Sequence, residues 1–314
     1  MISGVLSSVL PIMVTIGIGI LCNKINLLSR NGTGEIKKFI TSIALPAAVF
    51  HALATAEYNK NMMILFLCMM IVLFISFGAG FMLRPLLPEK YNRYLPFITS
   101  VYEGGMMAFP LYMNLFGEEH LSNIAIFDIA TMLVCFSILI TMLQSVDSKQ
   151  NTVNLAVIIR NALRNPVFIG AILGIICGMS GIVKIILDGD AGAIYLSTKN
   201  MITAALNSFI LIIVGYDFEF DKKRVKISFR SIIIRAVTQG LLLIPLGALI
   251  SYIYPGNVYM YGALLLYLSA PPSFSMQSYI ETEEPSKFIV TTNSLYMIVT
   301  LAVYIIAAAI LNRV

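Results

Sequence analysis

Ten runs of apolar residues alternate with short polar connections along the 314-residue chain, near 3–22, 36–55, 62–84, 93–116, 121–144, 166–186, 198–216, 229–253, 257–281 and 286–312. A bilayer core about 30 Å thick is crossed by roughly 20 helical residues, so each run predicts one transmembrane helix. The longest polar stretches, 145–154 and 217–230, are too short for a separate soluble domain. Residues 5–22 have no Lys or Arg before them and no small-residue cleavage site after them, which predicts a first membrane helix rather than a cleaved leader.

Composition agrees with the pattern. Hydrophobic residues make up 58% of the chain and charged ones 12%, with a mean hydropathy of +0.87, whereas a soluble domain carries roughly 25% charge. A cytosolic enzyme, a disordered chain and a nucleic-acid-binding module are all excluded. The net charge of +5 becomes informative once it is distributed. With alternating passages, sixteen Lys and Arg fall in or at the edges of connections 1–2, 3–4, 5–6, 7–8 and 9–10, against four on the other side. Basic connections stay cytoplasmic, so the chain is predicted to lie in the cytoplasmic membrane with both termini outside. Trp is absent, and Tyr58, Tyr91, Tyr94, Tyr216, Tyr252 and Tyr254 stand near run ends as interfacial aromatics.

Cutting at the connection 145–164 leaves halves 1–144 and 165–314, each with five runs and therefore oppositely oriented. An offset of 165 maps Glu118-Glu119 onto Glu283-Glu284, Asp128 onto Asn293 and Tyr94 onto Tyr259; an offset of 155 maps Pro11 onto Pro166 and Gly19 onto Gly174. This predicts an inverted 5+5 repeat, the plan of many secondary transporters. The fourth run contains Glu103, Gly104, Gly105 and Pro110, and the ninth contains Pro271, Pro272, Ser273, Ser275 and Gln277. Gly-Gly and Pro-Pro break a helical ladder, at a cost of about 1 and 3 kcal/mol per residue. The first break is predicted after an 11-residue half-helix, 93–103, near the midplane. Interrupted helices at matching places in two halves point to a binding site.

Two carboxylates lie where charge is expensive. Glu103 adjoins the first break, and Asp128 sits about 12 Å into the fifth run at 1.5 Å per residue. Such residues face a cavity or a partner, which makes Glu103 and Asp128 candidates for binding a proton or sodium ion; no other metal site and no cofactor is expected. Ser273, Ser275, Gln277 and Asn293 would add polar contacts. Arg235 is expected to snorkel to the cytoplasmic interface, and Gln239 and Asn207 to bond across helices. The four isolated cysteines read as small core residues. Gly170, Gly174 and Gly178 form a small-residue ridge for close helix packing, inside the chain or between two copies.

At these residues the chain resembles the auxin efflux carrier family of the bile acid/arsenite/riboflavin transporter superfamily. The resemblance runs through Leu10-Pro11, Ala44-Leu45-Pro46-Ala47, Phe109-Pro110-Leu111, Leu115-Phe116-Gly117, Asn165-Pro166, Ala270-Pro271-Pro272 and the acidic residues near 281–284. It implies an NhaA-like fold in which broken helices 4 and 9 cross. Helices 1, 2, 6 and 7 would form a scaffold, often dimeric, and helices 3–5 and 8–10 a domain that moves as an elevator. It also implies an organic anion as solute. This chain departs from the family at Glu103, where an Asn usually helps bind the substrate carboxylate. A cation/proton exchanger, or a carrier of a cationic or neutral solute, is the alternative. No HExxH, GxSxG or P-loop motif occurs, so the partners expected are a small solute, lipid and a second copy of the chain.

Overall fold

The computed structural model describes residues 2–147, 165–280 and 282–311, and within these it is helical without a strand. Most of the predicted connection 145–164 lies outside the described residues. The helices are α1 Ile2–Lys24, α2 Arg30–Phe39, α3 Leu45–Ala54, α4 Lys60–Leu83, α5 Glu89–Asn92, α6 Leu95–Ser100, α7 Phe109–Phe116, α8 Leu121–Val134 and α9 Ile140–Asp147. After the connection come α10 Pro166–Ser180, α11 Ile182–Asp188, α12 Gly192–Thr203, α13 Leu206–Tyr216, α14 Val225–Ile253, α15 Val258–Leu268 and α16 Glu283–Leu311. Five stretches are long and apolar enough to cross a membrane: Arg30–Ala54, Lys60–Leu86, Gly192–Tyr216, Val225–Ile253 and Glu283–Ile310. The pair α10 and α11, bent by 71° at Gly181, makes a sixth if it is one passage.

Local chemistry sets the ends. Asn59, Asn165 and Asn257 cap α4, α10 and α15, accepting from Met62 N, Val167 N and Met260 N at 2.9, 2.9 and 3.0 Å, which satisfies donors that a helix start leaves open. Gly181 (φ +72°) takes the left-handed conformation that bends α10 into α11. Wide π-turns at Ile40–Ala44 and Gly104–Ala108 precede Pro46 and Pro110; a proline offers no N–H to the preceding turn, and the ladder widens there.

Two helix pairs approach backbone to backbone. A Cβ on Gly19 would fall 2.0 Å from Ile212 O, and one on Gly215 would fall 2.0 Å from Ile16 O, so α1 and α13 interlock through reciprocal glycines. Gly170, Gly174 and Gly178 do the same for α10, with Cβ positions 2.8, 2.7 and 2.7 Å from the carbonyls of Pro46, Phe50 and Leu53. The glycine ridge is thus used inside the chain, against α3. Overpacking a fitted contact costs about 1–3 kcal/mol. Gly215→Ala is therefore expected to lower the melting temperature of the purified protein, while Gly17→Ala, whose added methyl meets nothing within 4 Å, leaves it unchanged. Equal melting temperatures for the two variants would contradict this packing.

Ion pairs tie the connections together. Arg30 meets Glu219 at 3.1 Å, Lys37 meets Asp217 at 3.2 Å, Lys90 meets Glu284 at 3.1 Å, and Lys199 meets Glu118 at 3.2 Å. Arg224 joins Asp221 and Glu284. Among the described residues each ion pair that joins two connections joins two that the sequence pattern assigns to the same side.

Candidate functional site

The two breaks face each other. The chain is non-helical at 101–103, between α6 and the turn Gly104–Ala108, and irregular at 269–273, between α15 and the 3-10 turn Phe274–Tyr279. Glu103 N donates to Pro271 O at 2.9 Å, so the interruptions are held by a direct backbone bond. The predicted half-helix over 93–103 is shorter than expected. It stops at Ser100, before Gly104-Gly105, because Glu103 takes a tertiary partner instead of a helical one.

Glu103 occupies the centre of this crossing. Its Oε1 accepts from Met106 N at 3.2 Å, and its Oε2 accepts from Phe274 N at 2.7 Å and the Ser273 hydroxyl at 3.2 Å. One carboxylate therefore caps the helical turns that restart after both breaks. Those turns present open N–H groups and the positive ends of their dipoles. Asp128, on α8, is 5% exposed and accepts from the Tyr267 hydroxyl at 2.9 Å through Oδ1. A Cβ on Gly104 would lie 1.9 Å from that same oxygen. Gly104 is thus required for the carboxylate to approach the crossing.

The opposite ends are met by a cation. Arg235 on α14, expected at the interface, is fully buried. Its guanidinium donates to Ile98 O and, at 2.8 Å, to Ala270 O, and it lies over the rings of Tyr102 and Tyr296 at 4.7 and 5.1 Å. Ile98 belongs to the last turn of α6, and Ala270 follows the end of α15, where carbonyls lack helical donors. One turn along, Gln239 donates to Thr99 O at 2.7 Å and accepts from the Tyr102 hydroxyl, bonding across helices as expected. The snorkelling expectation fails because depth along a helix says nothing about which way a side chain faces. A signal was available: Ser228, Ser231, Arg235, Thr238 and Gln239 recur at helical spacing, and all five are buried.

A cavity of about 490 Å³ opens beside the crossing. Of the residues singled out from sequence, Glu103, Gly104, Gly105, Asp128, Ser273, Ser275 and Gln277 line it. Pro110, Pro271, Pro272 and Asn293 do not. Pro271 supplies the carbonyl that holds Glu103 N, while Asn293 Nδ2 donates to Ser273 O at 3.3 Å from behind the wall. Sequence reasoning missed Tyr102, Tyr279, Lys37 and Asn165 as polar members of the lining. Lys37, at the margin, is paired with Asp217. Among the described residues no three His, Cys, Asp or Glu side chains converge as a metal cage. The four cysteines are free thiols.

A family model described as a membrane transport protein matches residues 4–311. No curated protein matches the chain.

Proposed function

The chain belongs to the membrane transport protein family, and we propose that it is a secondary active transporter of a small organic solute, coupled to protons or sodium ions through Glu103 and Asp128. The family's activity is transport, not catalysis. The observation that carries the finer reading is the cavity at the crossing of two interrupted helices, with two carboxylates on its wall. Broken helices leave polar backbone that is tolerated at membrane depth only in protein or around water, and transporters bind solute and ion at such places.

We read the ten apolar runs as ten passages in two inverted halves, 1–144 and 165–314, in the cytoplasmic membrane. Three features support this. Ion pairs link only same-side connections. The first run interlocks with the seventh as the sixth does with the second, the pairing that an inverted repeat requires. Asp128 reaches the first crossing segment at Gly104, as Asn293, its counterpart at an offset of 165, reaches the second at Ser273.

The division of the cavity lining supports an elevator displacement. Lys37, Thr41 and Leu45, with Asn165, Pro166 and Val167, supply part of the lining from the second and sixth runs; the crossing and the fifth run supply the rest. Sliding the crossing past helices 1, 2, 6 and 7 would carry the site between the two sides. We read the cavity as open toward the basic side, taken as cytoplasmic, because Lys37 and Asn165 are among its lining residues, with both termini outside. A Gln277→Cys variant with the four native cysteines replaced by serine is expected to react with a membrane-impermeant maleimide in inside-out vesicles and not in right-side-out ones. The reverse labelling would overturn the orientation.

A further inference from the structure

We propose that the transported solute is an organic cation, a small amine, held by Asp128, and that Glu103 bars carboxylates from the same cavity. The proposal rests on the transporter reading above and adds the charge of the solute.

An anionic group entering a crossing of broken helices would be drawn to the N-terminal ends of the restarting turns, where open N–H groups and the helix dipole favour negative charge. In this chain that place is filled. Met106 N and Phe274 N, one from each turn, both donate to the Glu103 carboxylate, and the Ser273 hydroxyl adds a third bond. A solute carboxylate would have to displace a side chain tethered at the spot, or lie against it as a like charge. Like-charge juxtaposition costs several kcal/mol.

The rest of the lining points the same way. Asp128 is buried, and only its Oδ1 is held, by Tyr267, leaving a carboxylate oxygen on the cavity wall without a donor among the described residues. Among the described residues the one cation on the lining, Lys37, is engaged by Asp217 at 3.2 Å. The fully buried Arg235 is committed to Ile98 O and Ala270 O and is not part of the lining. Phe274 and Tyr279 also line the cavity, and aromatic faces attract ammonium groups. A volume of about 490 Å³ suits a solute of metabolite size. An amine and a coupling cation would then compete for Asp128, and the cycle is an exchange: the proton or sodium ion leaves as the ammonium enters.

The test uses shape-matched pairs on the purified full-length protein. Tryptamine is compared with indole-3-acetate, ethanolamine with glycolate, and putrescine with succinate, by ligand-induced thermal stabilisation. At least one amine is expected to bind about tenfold or more tightly than its matched carboxylate, a difference of about 1.4 kcal/mol. In Glu103→Gln that preference is expected to shrink, and in Asp128→Asn the response to amines is expected to be lost. No response to any of the three amines, or a carboxylate bound more tightly than its amine, overturns the proposal. Uptake of the bound radiolabelled probe into proteoliposomes separates this from the transporter reading. A carboxylate that binds and is taken up removes the charge assignment alone. An amine that binds through Asp128 without being moved removes the transport reading alone.

Discussion

Asp128→Asn is expected to abolish coupled transport while leaving the protein at least as stable as the parent. The two halves of this prediction come from the same geometry. Asn is nearly isosteric with Asp, and its amide oxygen still accepts from the Tyr267 hydroxyl, now 2.9 Å from Asp128 Oδ1. The close passage of Gly104 is also unchanged. What disappears is a negative charge on a side chain 5% exposed, with no cationic partner in the described structure. A buried charge without a paired ion carries a desolvation penalty, and replacing it by a neutral group is often neutral or stabilising. A structural carboxylate shows the opposite pattern, because removing one member of a buried pair costs about 3–5 kcal/mol. Measuring solute flux and melting temperature on one preparation distinguishes the cases. Flux should fall by at least about a hundredfold, the equivalent of roughly 2.7 kcal/mol, with no loss of melting temperature. Parental flux with unchanged pH dependence would remove Asp128 from the coupling site.

Much of this site was legible before any coordinates. Helix-breaking residues in two apolar runs, and a carboxylate at depth in a third, needed only hydropathy and residue chemistry to be noticed. Glu103, Asp128, Ser273, Ser275 and Gln277 are among the residues that line one cavity. The role of Glu103 was less accessible. Its carboxylate caps two turns that are 171 and 3 residues away along the chain, and only the crossing itself shows that both are reached at once. The position of the break shifted for a related reason. Gly104-Gly105 marks where a helix is weak, but the tertiary bond from Glu103 N to Pro271 O decides that it ends at Ser100. Asn293 maps onto Asp128 by sequence offset, yet it supports Ser273 rather than facing the cavity; the offset aligns positions and carries no information about side-chain direction.

Arg235 is the residue that sequence position described least well, and its removal carries the largest expected effect on stability. Glu103 and Arg235 divide the crossing between them. The carboxylate meets the turns that restart after the breaks, and the guanidinium meets the carbonyls where α6 and α15 stop. Arg235→Met keeps much of the aliphatic volume but leaves Ile98 O and Ala270 O without their donor. Each buried carbonyl so orphaned costs about 1–3 kcal/mol, and the ring contacts to Tyr102 and Tyr296, worth about 2 kcal/mol when desolvated, are lost as well. Arg235→Lys should fall between, since one ammonium lacks the planar fork that reaches two diverging acceptors. Arg230→Met, on the same helix but exposed, is the control and should move the melting temperature little. If Arg235 only reached for the interface, Arg235→Met and Arg230→Met would melt alike. A large loss for Met, a smaller one for Lys and partial recovery of Arg235→Ala by added guanidinium would instead identify the guanidinium itself as the group that holds the two interrupted helices together.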